Sequence, residues 1–145
     1  MNNQGMKNPD MKATILLPGT ASGDVLKLEA PLSFWGGVDP KTGTIIQVRH
    51  PQCGTRISGR ILCLPATIGS SSSSAVLLEL IRGGNAPAAL VMGAPDAILL
   101  IGCLVAKEMG WEAPPAVALS AENQRQLADG HYTLAADGAM IQTAS

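Results

Sequence analysis

Gly69-Ser70-Ser71-Ser72-Ser73-Ser74 sets five hydroxyls in a row behind a glycine. The apolar run Ile61-Leu62-Cys63-Leu64-Pro65 leads into it, and Val76, Leu77, Leu80 and Ile81 follow at helical spacing. That order predicts a strand, a small-residue loop and the first turn of a helix, with Arg82 in the last turn and Gly83 or Gly84 as the stop. A helix start carries unpaired N–H groups and the positive end of the dipole. The stretch is therefore a candidate site for a carboxylate or a phosphate. A flexible serine linker is disfavoured, because buried apolar segments flank the run on both sides. One serine serves as an N-cap, but capping does not account for five.

Other groups with chemical potential are sparse. His50, in the loop Arg49-His50-Pro51-Gln52-Cys53-Gly54, has the chemistry of an acid, a base or a ligand. No second histidine or carboxylate stands at motif spacing, so a structural or surface role is favoured. Cys53, Cys63 and Cys103 are odd in number and form no CxxC pair, which indicates neither a disulfide framework nor a zinc site. Cys103 reads as packing within a helix rather than as a reactive thiol. The loop Pro31-Leu32-Ser33-Phe34-Trp35-Gly36-Gly37-Val38-Asp39-Pro40-Lys41-Thr42-Gly43 reads as a structural corner with two anchoring aromatics, or as a rigid loop lining a pocket.

Composition narrows the classes. The 145 residues suit one compact domain, over residues 11–145, and are 46% hydrophobic and 14% charged. A net charge of -1 supplies no basic field for nucleic acid or an anionic membrane. Phe34, Trp35, Trp111 and Tyr132 are the only aromatics, too few for base-stacking platforms. Low charge with high apolar content fits either a compact Ala/Gly-rich domain or a subunit whose apolar surface a partner covers; the second is favoured. Residues 1–10 are polar, lack the apolar core of a secretory signal and are expected to form a disordered tail. Residues 86–106 are interrupted by Gly93-Ala94-Pro95-Asp96 and do not read as a membrane span, so the cytoplasm is the expected compartment.

The elements that must position the serine loop follow in order. Met11 to Leu17 reads as a strand, Ala21-Ser22-Gly23 as a turn, Val25 to Leu28 as a half-buried strand, and Thr44 to Val48 and Ile57 to Leu64 as β segments. After the serine helix come a strand from Ala88 to Met92 and a helix from Ala97 to Met109, capped by Asp96 and stopped at Gly110. That helix is apolar nearly all round as far as Val105, which predicts burial on several sides. Val117 to Leu119 is a strand and Ser120 caps a short helix to Leu127. Tyr132 to Leu134 pairs with Met140-Ile141 through Asp137-Gly138, a two-residue hairpin signal. The class is α/β: a compact, β-barrel-like or layered sheet with helices on one side.

The segments Leu32-Ser33-Phe34-Trp35-Gly36-Gly37-Val38-Asp39-Pro40-Lys41-Thr42-Gly43, His50-Pro51, Gly59-Arg60-Ile61-Leu62, Gly69-Ser70-Ser71 and Ala86-Pro87-Ala88-Ala89-Leu90-Val91 occur in an order that resembles the small subunit, or swivelling domain, of the aconitase X proteins. The resemblance runs from about Thr14 to Leu119. It implies a swivelling β/β/α domain that closes over a large subunit, in a heterodimer whose iron–sulfur cluster is held by that partner's own cysteines. No cofactor is expected in this chain. The activities it implies are dehydrations, of cis-3-hydroxy-L-proline in bacteria or mevalonate 5-phosphate in archaea. It makes Ser70 the proton-abstracting base, and Gly69 and Ser71 binders of the substrate carboxylate. Archaeal members carry a basic residue just before the glycine. Here Thr67-Ile68-Gly69 stands instead, which favours hydroxyproline over a phosphorylated substrate unless Arg49, Arg56 or the partner supplies the charge.

Serine is a poor base in water and serves only if nearby donors stabilise its alkoxide, as N–H groups at a helix start can. The residues alone favour Ser70 as a cap or anion binder; the resemblance favours it as the base. Two other classes stand beside the dehydratase subunit. One is a non-catalytic module holding a small anion at the Ser70 helix start, and the other is a structural subunit that caps an apolar face of another protein.

Overall fold

The computed structural model describes residues 11–143, so the expected N-terminal tail, residues 1–10, lies outside the described residues. The strands are β1 (Met11–Lys12), β2 (Thr14–Leu17), β3 (Ala21–Lys27), β4 (Ile61–Leu64), β5 (Ala89–Met92), β6 (Ala116–Ala118), β7 (His131–Leu134) and β8 (Ala139–Thr143). The helices are α1 (Phe34–Gly37), α2 (Ser73–Arg82), α3 (Ala97–Glu108) and α4 (Ala121–Gln126).

The spatial order is β1-β8-β7-β3-β4-β5-β6-β2. Its two ends, β1 and β2, are consecutive in the chain and separated only by Ala13, whose N–H donates to the Gly138 carbonyl at 2.8 Å. The sheet therefore curls toward closure and leaves little free edge. β3, β4, β5 and β6 run parallel. α2 and α3 pack into the same core on one face of these strands, as crossovers of one hand between sequential neighbours require.

Each parallel strand is buried on both sides. Leu26, Leu62, Leu64, Leu90 and Met92 pack with Leu77, Leu80, Leu99 and Cys103 of the helices. Val25, Ile61, Cys63, Ala89 and Val91 pack with Tyr132, Leu134 and Met140 of the second sheet. Strands covered on both faces need apolar residues at every position, which is why β4 and β5 read as unbroken apolar runs. The result is the expected β/β/α layering.

Several boundaries differ from expectation. Met11 to Leu17 is two strands, because β1 pairs with β8 and β2 with β6. Ala21-Ser22-Gly23 is not a turn but the start of β3, paired with β7, while residues 25–27 cross to β4. A Cβ on Gly23 would lie 2.5 Å from the Gly59 carbonyl, so glycine there marks a close approach and not a turn. Thr44 to Val48 makes only isolated bridges, Thr44 with Arg56 and Ile45 with Val38. The strand expected from Ile57 begins at Ile61. The β7–β8 loop spans residues 135–138, longer than a two-residue turn, with Gly138 at φ 93°. α3 buries Leu99, Gly102, Cys103 and Ala106, but Ile101, Leu104, Val105 and Met109 are exposed, so it is covered on one side and not on several. Among the described residues no helix is long and apolar enough to cross a membrane.

Candidate functional site at the opening of α2

Residues 65–72 carry the chain from β4 to α2, and α2 and α3 both open at the carboxyl edge of the parallel strands. The loop is fastened at two points. Thr67 bridges Leu32, and Ile68 N–H donates to the Leu32 carbonyl at 3.1 Å. Thr67 Oγ1 donates to the Asp96 carboxylate at 2.6 Å. Asp96 also caps α3, accepting from Ile98 N–H at 2.9 Å and Leu99 N–H at 3.3 Å. This confirms the expected Asp96 cap and adds a link from it to the serine loop.

Ser70 is half-buried and belongs to neither core; Gly69 and Ser71 are exposed. Ser70 Oγ accepts a hydrogen bond from Ser72 N–H at 3.3 Å, and its carbonyl accepts from Ser73 N–H at 3.0 Å. Ser72 occupies the N-cap position but makes no side-chain capping bond, so the serine expected to cap α2 does not do so in the ordinary way. Ser73 is buried, and Ser74 Oγ donates to the Ser71 carbonyl at 3.3 Å. Within the described residues no hydrogen bond engages the N–H groups of Gly69, Ser70 or Ser71. Successive free N–H groups at a helix opening form an anion-binding concavity. A Cβ on Gly69 would meet nothing within 4 Å, so this chain leaves the space beside it open.

The remaining candidates are placed differently. His50 is buried, with Nε2 donating to the Ala30 carbonyl at 3.1 Å and Nδ1 accepting from Gln52 N–H at 3.0 Å. Both ring nitrogens are satisfied by backbone, so its role is structural. Arg56 donates to the Thr42 carbonyl at 3.1 Å and to Asn85 Oδ1 at 3.2 Å, which commits it to joining loops. Arg49 is exposed. Phe34 is buried but Trp35 is not, so only one of the two aromatics anchors the corner.

Cys63 and Cys103 lie in opposite cores. Burial pushes the Cys63 thiol up to about 12, against a smaller opposing pull from Lys27, and burial pushes Cys103 up to about 11. Both are therefore thiols rather than the thiolates that bind metal. Among the described residues no group of three or more His, Cys, Asp or Glu could hold a metal ion. These residues do not fit an iron–sulfur cluster.

Two features had no readable signal in the sequence. Thr67 reaches Asp96 across 29 positions. Gln124, buried on the short polar α4, shares the two hydrogens of its Nε2 among the carbonyls of Leu64, Val91 and Leu119 at 3.2, 3.3 and 2.9 Å, tying together the carboxyl ends of three strands. A cleft of about 920 Å³ lies beside Gln124, between Lys27, Arg60, Asp129 and His131, and residues 69–71 do not line it.

The profile of the Aconitase X swivel domain matches residues 10–143. The cis-3-hydroxy-L-proline dehydratase of Pseudomonas aeruginosa is 44% identical over 123 residues, covering 85% of this chain and 21% of that protein. The phosphomevalonate dehydratase small subunit of Methanopyrus kandleri is 44% identical over 82 residues, covering 57% of this chain and 61% of that one. The crystal structure of Thermococcus kodakaraensis aconitase X in its holo form superposes with a TM-score of 0.79 at 29% identity, covering 92% of this chain and 98% of that chain. The chain spans only 21–23% of the length of the hydroxyproline dehydratases it matches.

Proposed function

The chain belongs to the aconitase X swivel domain family, and from that premise we propose that residues 11–145 are the swivelling small subunit of a hydro-lyase that dehydrates cis-3-hydroxy-L-proline. Ser70 is the base that takes the proton next to the substrate carboxylate. Gly69 and Ser71 offer backbone N–H groups to that carboxylate. The observation that carries the reading is the set of three successive N–H groups, engaged by none of the described residues, beside a half-buried hydroxyl at the opening of α2. Donors of this kind hold the negative charge that develops as the carbon acid loses its proton, and they lower the cost of a serine alkoxide.

The partner is an aconitase X large subunit, the iron–sulfur cluster belongs to that subunit, and the enzyme works in the cytoplasm as a heterodimer. The free imino acid is favoured over mevalonate 5-phosphate because Thr67-Ile68 precedes Gly69 where a phosphate would call for a cation, and because Arg56 is committed to Thr42 and Asn85. The test is anaerobic reconstitution with the large subunit and assay of both hydroxy acids for loss of water. Ser70→Ala should assemble normally and lose turnover by at least about 10²-fold, the low end of what a positioned base contributes. Activity within a few-fold of wild type removes Ser70 from the mechanism, and turnover of mevalonate 5-phosphate alone reverses the substrate assignment.

A further inference from the structure

The connection from β5 to α3, Gly93-Ala94-Pro95-Asp96, meets the loop from β4 to α2 at two points. At its first residue the two backbones run in close approach. Gly93 N–H donates to the Leu64 carbonyl at 2.8 Å, and a Cβ on Gly93 would overlap the Pro65 carbonyl oxygen. Gly93 holds no positive φ, so the proximity calls for glycine here and the backbone angle does not. At its last residue the link is polar. Thr67 Oγ1 donates to Asp96 Oδ2 at 2.6 Å, the short distance of a hydroxyl bound to a carboxylate. Asp96 Oδ1 accepts from Ile98 and Leu99 N–H, so the carboxylate that receives Thr67 is itself fixed by the first turn of α3.

The fastening stops one residue short of the proposed chemistry. Ile68 N–H donates to the Leu32 carbonyl, while the N–H groups of Gly69, Ser70 and Ser71 are engaged by none of the described residues. The chain is taken up again where Ser73 N–H donates to the Ser70 carbonyl at 3.0 Å. Residues 69–71 thus run between two held ends, and the course of the stretch is set by where those ends stand. Gly69 adds no side chain that could hold it. A base must stand close to its attack geometry, and a misplacement of about 1 Å costs on the order of 10²-fold in rate.

We propose that Asp96 is a positioning residue for Ser70. It acts through Thr67: the carboxylate locks the entry to residues 69–71 onto the opening of α3, and Gly93 leaves room for the root of the same loop. This rests on the function proposed above and adds to it a residue of the neighbouring β–α connection that works on the loop rather than on the substrate. A cap and tie that served stability alone would leave the turnover of the folded enzyme untouched.

The test uses the reconstituted two-subunit enzyme, with the large subunit saturating and the temperature below the unfolding of every variant. Thr67→Val removes the hydroxyl and keeps the shape; it should lower kcat at least about tenfold. Thr67→Ser, which keeps the hydroxyl, should hold kcat within a few-fold of wild type. Ser120→Ala breaks a cap of another helix, Ser120 Oγ to Asn123 N–H at 3.1 Å, in a bond that involves no residue of the serine loop; it should lose stability and keep its kcat. In ¹⁵N relaxation of this chain, the amide order parameters of residues 69–71 should fall in Thr67→Val and stay at the wild-type level in Thr67→Ser. Wild-type enzyme that turns over neither cis-3-hydroxy-L-proline nor mevalonate 5-phosphate overturns the functional reading and this inference together. An active wild type with an unchanged kcat in Thr67→Val overturns this inference alone and leaves Asp96 a cap. Thr67→Ser as slow as Thr67→Val also overturns it, because the hydroxyl then carries nothing. So does a Ser120→Ala enzyme that slows as much as Thr67→Val, because lost stability then accounts for both.

Discussion

At position 69 stability and function should separate. Gly69 has no positive φ, and an added Cβ would meet nothing within 4 Å, so the fold makes no demand for glycine there. On the function proposed above, the need is for open space in front of the N–H groups of residues 69–71. Gly69→Ala should leave urea unfolding within about 0.5 kcal/mol of wild type while raising KM or lowering kcat/KM in the reconstituted enzyme. A variant that unfolds early, or turns over normally, breaks the link between that space and the substrate. The serine run was legible in the sequence because glycine, hydroxyls and flanking apolar segments are local features. The division of labour within it was not. Which hydroxyl is buried and which is exposed depends on how the loop is pinned by Leu32 and Asp96, both distant in sequence. Phe34 and Trp35 show the same limit: two adjacent aromatics look alike until the turn between them sends one inward and the other out.

At the scale of elements, Asp96 does two jobs with one carboxylate. One oxygen caps α3 through Ile98 and Leu99, and the other holds Thr67. Asp96→Ala should lower stability by about 0.5–2 kcal/mol, the usual range for a lost cap. Thr67→Val should lower it less. In a double-mutant cycle the two should couple by at least about 0.5 kcal/mol, because they share one hydrogen bond. Strictly additive effects in urea titrations would show that the bond does not fasten the loop. Most elements were readable from local pattern: α3 and β5 stand where apolar spacing and the Asp96 cap put them, α2 where its apolar spacing does, and β4 occupies the second half of the stretch expected from Ile57. The misread stretches are those where pairing, not propensity, decides. Ala21-Ser22-Gly23 has turn composition yet becomes strand because β7 lies alongside. Thr44 to Val48 has strand composition yet lacks a continuous partner. The outer face of α3 is apolar in sequence, but none of the described residues covers it.

The molecule as a whole is two cores sharing one sheet, and each core holds one buried thiol: Cys103 between the helices and the sheet, Cys63 between the two β layers. Burial raises each above its ordinary value of 9.0, Cys63 to about 12 and Cys103 to about 11. Unfolding frees both to ionise at the ordinary value. Below about pH 9 both states keep their protons and the effect on stability is constant. Above it the unfolded chain releases protons that the native chain retains, so the native state is disfavoured by up to about 1.4 kcal/mol per pH unit for each thiol. The loss ends as pH passes the native value, near 11 for Cys103 and near 12 for Cys63. Urea unfolding from pH 8 to 10.5 should therefore show a decline beginning near 9, and Cys63→Ala and Cys103→Ala should each make it shallower. If neither buried variant alters the slope, water reaches both thiols and the two cores are not closed as described. If only one does, that layer alone excludes solvent and the two layers open separately.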